Sequence, residues 1–324
     1  MRRTALPLAL AALLAATGCA SGAAAPDPEA DGPRIVASTS VYGDIARTVG
    51  GDAVEVESII DRIAQDPHSY EATAQDKLAL SKADLVVANG GGYDAFADVL
   101  INDLGLEEEQ VLRAVDFSEA AHAEEDGDHD HEGEGHGDEE HAEEDGHVHA
   151  AYNEHVWYDV HTVVALAHAV AERLAALVPD EAESFRANAT AFEESLAPVE
   201  AKLTELSAAA DGRAFAMTEP VPYYLLVEAG LRDATPEGYS AAIEHGEDVS
   251  PLLQRHMLDV LEDGTVAVLA YNEQTSSAQT EAVRQAAERA GVPVVEFTET
   301  IPDSEDFASW MTGNIEALEA ALAG

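Results

Sequence analysis

Short apolar runs and longer amphipathic stretches alternate along most of this chain. Ile35–Ser38, Val54–Val56 and Leu85–Ala88 read as short strands, the last ending at Asn89-Gly90-Gly91-Gly92. Apolar residues at helical spacing run through Ile45 and Val49, from Gln75 to Lys82 and from Tyr93 to Leu104. A strand buried on both faces is a short continuous apolar run, whereas a helix repeats every three or four residues. Two long helices follow, Thr162–Leu177 and Ala182–Leu206, separated by Pro179-Asp180-Glu181, with a kink expected at Pro198. The alternation then resumes. Ala214–Met217, Val266–Ala270 and Val294–Glu296 read as strands. Pro222–Ala229 (stopped by Gly230), Pro251–Leu261, Thr280–Ala290 (ending at Gly291) and Phe307–Leu322 read as helices. Strands that alternate with helices imply parallel sheets. The fold class expected is α/β, with two lobes, each a small mainly parallel sheet with flanking helices, joined by a long helical spine.

Two segments break this pattern. At the start, Arg2 and Arg3 precede an apolar run, Ala5 to Ala16, and then Ala16-Thr17-Gly18-Cys19. This is the layout of a secretory signal, and the run is too short to span a bilayer. The sole cysteine, Cys19, follows a small residue as in a bacterial lipobox, although Ala16 stands where such motifs usually have Leu. The reading is lipidation at Cys19; the alternative is a cleaved signal with an incidental cysteine. Residues 119–149 hold 7 His and 14 Asp or Glu, with no Lys or Arg. Such a stretch cannot bury a core and reads as a disordered loop. The expected organisation is a signal at 1–18, a lipid-anchored tether at 19–33 and an N-terminal lobe at 34–160. Linking helices at 161–211 and a C-terminal lobe at 212–324 complete it. No other segment reads as a membrane span.

Composition narrows the partners. There are 16 Lys and Arg against 64 Asp and Glu, a net charge of -48. A surface this negative repels phosphate backbones, so nucleic acid is excluded as a partner, and cations are favoured. With one cysteine, neither an internal disulfide nor a multi-cysteine zinc site can form.

The candidate chemistry lies in two histidine motifs. The first is Asp66-Pro67-His68-Ser69-Tyr70-Glu71, continuing through Ala72-Thr73-Ala74-Gln75-Asp76 between a strand and a helix. Pro67 biases Asp66 to an extended backbone and so helps to direct His68. The second is Asn153-Glu154-His155-Val156-Trp157-Tyr158-Asp159, where His155 abuts a strand-like Val-Trp-Tyr. Together these resemble the metal-binding lipoproteins of zinc and manganese ABC importers, from about Arg34 to the C-terminus. The acidic His-rich insertion before the second motif and the helical spine are also typical of the zinc members.

The resemblance implies one ligand from each motif, His68 and His155. It also implies a third from the stretch Met217-Thr218-Glu219-Pro220-Val221-Pro222-Tyr223-Tyr224, where Glu219 occupies the position that is His in zinc members and Glu in manganese members. A carboxylate serves either metal, and a helix-start acid is the alternative reading of Glu219. A fourth ligand is expected from Tyr271-Asn272-Glu273-Gln274-Thr275-Ser276-Ser277. Asn272, Glu273, Ser276 or water are left open. Asp66, Glu71, Glu154 and Asp159 are candidates to orient the ligands, or plain surface acids. His161, His168, His245 and His256 have no motif behind them. His122, His129, His131, His136, His141, His147 and His149 form an auxiliary, weaker metal-binding loop, since imidazoles among carboxylates make exchangeable sites.

The function implied is capture of a divalent transition metal, Zn(II) before Mn(II), in the interlobe cleft, and delivery to an ABC permease with its ATPase. The protein would be exported, anchored by lipid to the outer face of the bacterial cytoplasmic membrane, and monomeric. Other classes are a metal-dependent hydrolase, against which no His-Glu-x-x-His motif is present, or an adhesin. No turnover is expected.

Overall fold

The computed structural model describes residues 32–63, 65–121 and 152–323. The signal, Cys19, nearly all of the tether and the seven loop histidines lie outside the described residues. The first sheet orders its strands β2-β1-β3-β4, with β1 at Arg34–Thr39, β2 at Glu55–Ile60, β3 at Leu85–Ala88 and β4 at Val111–Arg113. The second follows β6-β5-β7-β8, with β5 at Ala214–Met217, β6 at Arg232–Asp233, β7 at Val266–Tyr271 and β8 at Val294–Glu296. Every pairing in both sheets is parallel. In each sheet the chain leaves the first strand toward one neighbour and returns on its other side. That is the arrangement in which ligands bind beyond the carboxyl ends of the strands.

The first lobe carries α1 (Ser40–Gly50), α2 (Ala74–Leu80) and α3 (Ala95–Leu104). Two long helices, α4 (Val160–Leu177) and α5 (Ala182–Ala209), then pack along each other. The second lobe carries α6 (Tyr223–Glu228), α7 (Tyr239–Glu244), α8 (Pro251–Glu262), α9 (Ala278–Ala290) and α10 (Phe307–Leu322). The fold class is the one expected, with α5 as the spine; it continues as helix through Pro198. By composition α4 could pass for a membrane span, with a mean hydropathy of 1.3. Its apolar residues instead serve the core, where Val163, Leu166, Val170 and Leu174 are buried.

One continuous apolar core runs through both lobes, from Ile35, Tyr42 and Trp157 through Phe185 and Leu196 to Phe215, Phe307 and Ile315. Polar staples reinforce it. Tyr158 donates to the Thr298 carbonyl at 2.8 Å, and the Ile301 and Phe307 amides donate to Ser40 Oγ and Asp44 Oδ2 at 3.2 and 2.9 Å. Burying one shared core disfavours wide hinge bending, because opening the lobes would expose it.

One local expectation is corrected, and three elements are added. Val156–Tyr158 is a buried 3-10 turn, not a strand. The Val156 and Tyr158 amides donate to the Glu154 and His155 carbonyls, and all three side chains are part of the apolar core. The short strands β4 and β6 and the one-and-a-half-turn helix α7 were not visible in the pattern, because so few residues establish no period.

Gly230 shows the tolerance at one turn. It has φ +77°, and an added Cβ would lie 2.8 Å from Ser207 Cα on α5. Gly230→Ala is expected to destabilise the fold by about 2–3 kcal/mol, from left-handed strain plus overpacking, in a urea melt.

Candidate metal centre

The residues of interest sit beyond the carboxyl ends of parallel strands in both sheets. His68 follows β2. Asp66 shapes its loop by accepting from the His68 amide (2.9 Å) and Ser69 Oγ (2.8 Å). The remainder of the motif is the cap of α2. Thr73 Oγ1 accepts from the Asp76 amide, while Asp76 Oδ2 accepts from the Thr73 amide at 2.7 Å and from Tyr70 Oη at 3.0 Å. The recurrent sequence is thus a helix start that holds the His68 loop in place. Tyr93, on the glycine turn after β3, meets the His68 ring edge-on at 4.9 Å. In that turn Gly91, at φ +68°, lets the backbone pass Tyr152, whose Oη would lie 3.0 Å from an added Cβ.

His155 is wholly buried. Asn153 Oδ1 lies 2.7 Å from His155 Nδ1 and accepts from its amide at 3.1 Å. A proton held at Nδ1 leaves Nε2 with its lone pair, the tautomer a ligand needs. Asn153 also reaches the second lobe: its Nδ2 donates to the Pro220 carbonyl at 2.8 Å, and its own carbonyl accepts from Tyr224 at 2.6 Å. Asn153→Ala is expected to weaken metal binding by about 10–100-fold, as for other groups that orient a ligating His, by competition titration.

From the second lobe, Glu219 follows β5 and Glu299 follows β8; both are essentially inaccessible. Asn272, after β7, donates one Nδ2 to both, 2.5 Å to Glu219 Oε2 and 2.8 Å to Glu299 Oε1. Thr275 adds 2.6 Å to Glu219 Oε2, and Tyr93 gives 3.2 Å to Glu299 Oε2 from the opposite lobe. Glu219 Oε1 is buried without a hydrogen-bond partner. Donor atoms of His68, His155 and Glu299 all lie within 4.8 Å of one another. Burial pushes the Glu219 carboxyl up to about 7, against the Thr275 and Asn272 hydrogen bonds, with nearby Asp66 adding to the rise. Burial, and then the charge of Glu219, raise Glu299 well above the usual carboxylate range. The carboxylate beside the two imidazoles is Glu299, and buried Glu219 is joined to it through Asn272; with no Lys or Arg paired to them among the described residues, these groups form a site for a cation.

A sequence profile of zinc-uptake complex component A, periplasmic (ZnuA), matches residues 35–321. The chain belongs to the ZnuA family. The resemblance carried by the two histidine motifs is borne out. Among relatives of this ZnuA-family chain, the zinc-binding lipoprotein AdcA of Streptococcus pneumoniae is 25% identical over 328 residues, covering 98% of this chain and 61% of AdcA. The chain therefore spans about three-fifths of that relative's length. The manganese ABC transporter substrate-binding lipoprotein scaA of Streptococcus gordonii is 24% identical, covering 98% of both. The solved structure of the periplasmic zinc-binding protein TroA from Treponema pallidum superposes with a TM-score of 0.70 at 19% identity, over 90% of this chain and 99% of TroA. That likeness concerns the fold.

Within the ZnuA-family frame, the loop expected to supply a fourth ligand has another task. Asn272 and Thr275 hold the carboxylates, Glu273 is exposed, and Ser276 Oγ lies 3.1 Å from Tyr271 Oη. The carboxylate in position is Glu299, from the loop after the next strand. The sequence pattern does not mark it because Thr298-Glu299-Thr300 looks like an ordinary polar turn; a Glu a few residues beyond the carboxyl end of a predicted strand was the available signal. Of the acids considered as orienting groups, Asp66 and Asp159 cap local turns, Glu154 is buried, and Glu71 is exposed. His161, His245 and His256 are exposed, and His168 pairs with Glu193 at 2.8 Å, so none joins the centre.

Proposed function

We propose that this chain is an extracytoplasmic solute-binding lipoprotein that captures one Zn(II) ion between its lobes, on His68, His155, Glu219 and Glu299. It passes the ion to an ABC permease driven by its ATPase. Binding is the activity, and nothing is turned over. The observation that carries this reading is the convergence of His68, His155 and Glu299 within 4.8 Å. Family membership supports a transport role, and the names of relatives support lipid anchoring through Cys19. Two imidazoles with two monodentate carboxylates suit tetrahedral zinc. Manganese is the second reading, favoured by the two carboxylates, which can become bidentate and raise the coordination number.

Competition titration of the full chain and of a chain lacking residues 119–149 tests this. One tight ion per chain is expected in both, with zinc held more tightly than manganese. The seven loop histidines would add only weaker sites. Loss of the tight ion on loop deletion would refute the assignment of the site to the lobes.

A further inference from the structure

Glu244 is the last residue of α7 and belongs to neither histidine motif. Its helix is seated by Tyr239 and Ile243, both buried in the second lobe's own core. The Glu244 side chain is 7% exposed and points across the cleft. Its Oε1 lies 3.5 Å from His155 Nδ1 and 4.0 Å from His68 Nε2, yet accepts no hydrogen bond. A buried carboxylate oxygen with no donor is costly unless a cation visits it. Glu154, on the first lobe, stands beside it, with its backbone carbonyl pinned by Asn89 Nδ2 at 2.9 Å. Donor atoms of His68, Glu154 and Glu244 lie within 4.8 Å of one another.

The geometry points to a second, outer position for the ion, on His68, Glu154 and Glu244, through which metal passes on its way into and out of the inner site. This rests on the reading that the inner site stores the ion. His68 belongs to both sets, so an ion can exchange the remaining ligands while keeping one. The order along the path is also given. His68 and Glu244 line the open cleft of about 650 Å³, together with Glu247 and Asp248, whereas Glu154, His155, Glu219 and Glu299 do not. An ion from solvent meets His68 and Glu244 first, with Glu154 behind them. Glu244 comes from the second lobe and His68 and Glu154 from the first, so small shifts between the lobes would open or close this position before the inner one is disturbed.

A ligand used only in passage changes rates more than equilibrium. Stopped-flow loading of the full chain with Zn(II), and release to a fluorescent zinc chelator, would separate the two. Glu244→Gln and Glu154→Gln keep shape and remove the carboxylate that would bind the ion. Each is expected to slow loading and release together by about tenfold, with the dissociation constant changed less than about threefold. Glu247→Gln removes the same charge from the cleft rim and lies outside both sets; it is expected to affect loading alone, by about twofold or less. Unchanged rates in both the Glu244 and Glu154 variants would overturn the outer position. So would faster release with weaker binding, which would make Glu244 a ligand of the stored ion. A wild-type chain that holds no tight zinc would instead overturn the storage site itself.

Discussion

His68→Ala is expected to abolish tight zinc binding, with affinity falling by more than about 100-fold, beyond the 10–100-fold cost of losing a group that merely orients a ligand. The reason is the small number of donors. The inner site as proposed has two imidazoles and two carboxylates, and the remaining three could not close a tetrahedron without water. Isothermal titration or chelator competition would measure it, and retained tight binding would remove His68 from the site. The fold should survive, because the His68 loop is held by Asp66 and by the Thr73–Asp76 cap. The wild-type affinity should itself depend on pH. Burial raises Glu219 to about 7 and lifts Glu299 well above the usual carboxylate range, so the metal-free site holds protons more readily than exposed carboxylates do. Metal must displace them, so affinity rises as the pH rises through about 7 and falls on acidification.

Trp157→Ala should be the most damaging single change to stability. Trp157 is 1% exposed, and its ring lies 4.5 Å from Tyr93, 5.1 Å from His155 and 6.1 Å from Tyr158. Truncating a buried Trp removes its apolar contacts and leaves a cavity, costing about 3–5 kcal/mol. Denaturant unfolding of the metal-free protein would show it. A second effect separates this residue from an ordinary core position. Trp157 backs the His155 ring, and Tyr93 touches both His68 and Glu299, so the cavity opens beneath the ligands. Zinc affinity should fall along with stability. A stability loss below about 1 kcal/mol would contradict the packing described, since conservative core changes already reach that cost.

Much of the fold was legible because it depends on local pattern. Buried parallel strands such as Leu85–Ala88 and Val266–Tyr271 are short apolar runs, and the long helices carry a clear period. The three-residue β4, the two-residue β6 and the six-residue α7 were too short for their own pattern to stand out. The apolar Val-Trp-Tyr misled for the opposite reason: burial alone does not distinguish a strand from a turn wedged into a core.

The sequence by itself determined the α/β alternation, the negative charge that favours cations, and the two motifs that place His68 and His155 at loop positions stiffened by Pro67 and capped by neighbouring side chains. These are properties of residues close together in the chain. Only the tertiary structure decided which carboxylates join them. Glu299 lies 144 residues beyond His155 and Glu244 lies 89 beyond it, and parallel crossovers bring both to the cleft. Asn272, one candidate ligand in the pattern, is turned by the same packing into the group that holds Glu219 and Glu299 together. Coordination depends on atoms a few ångströms apart in space, and sequence spacing records that distance only within a single loop or helix.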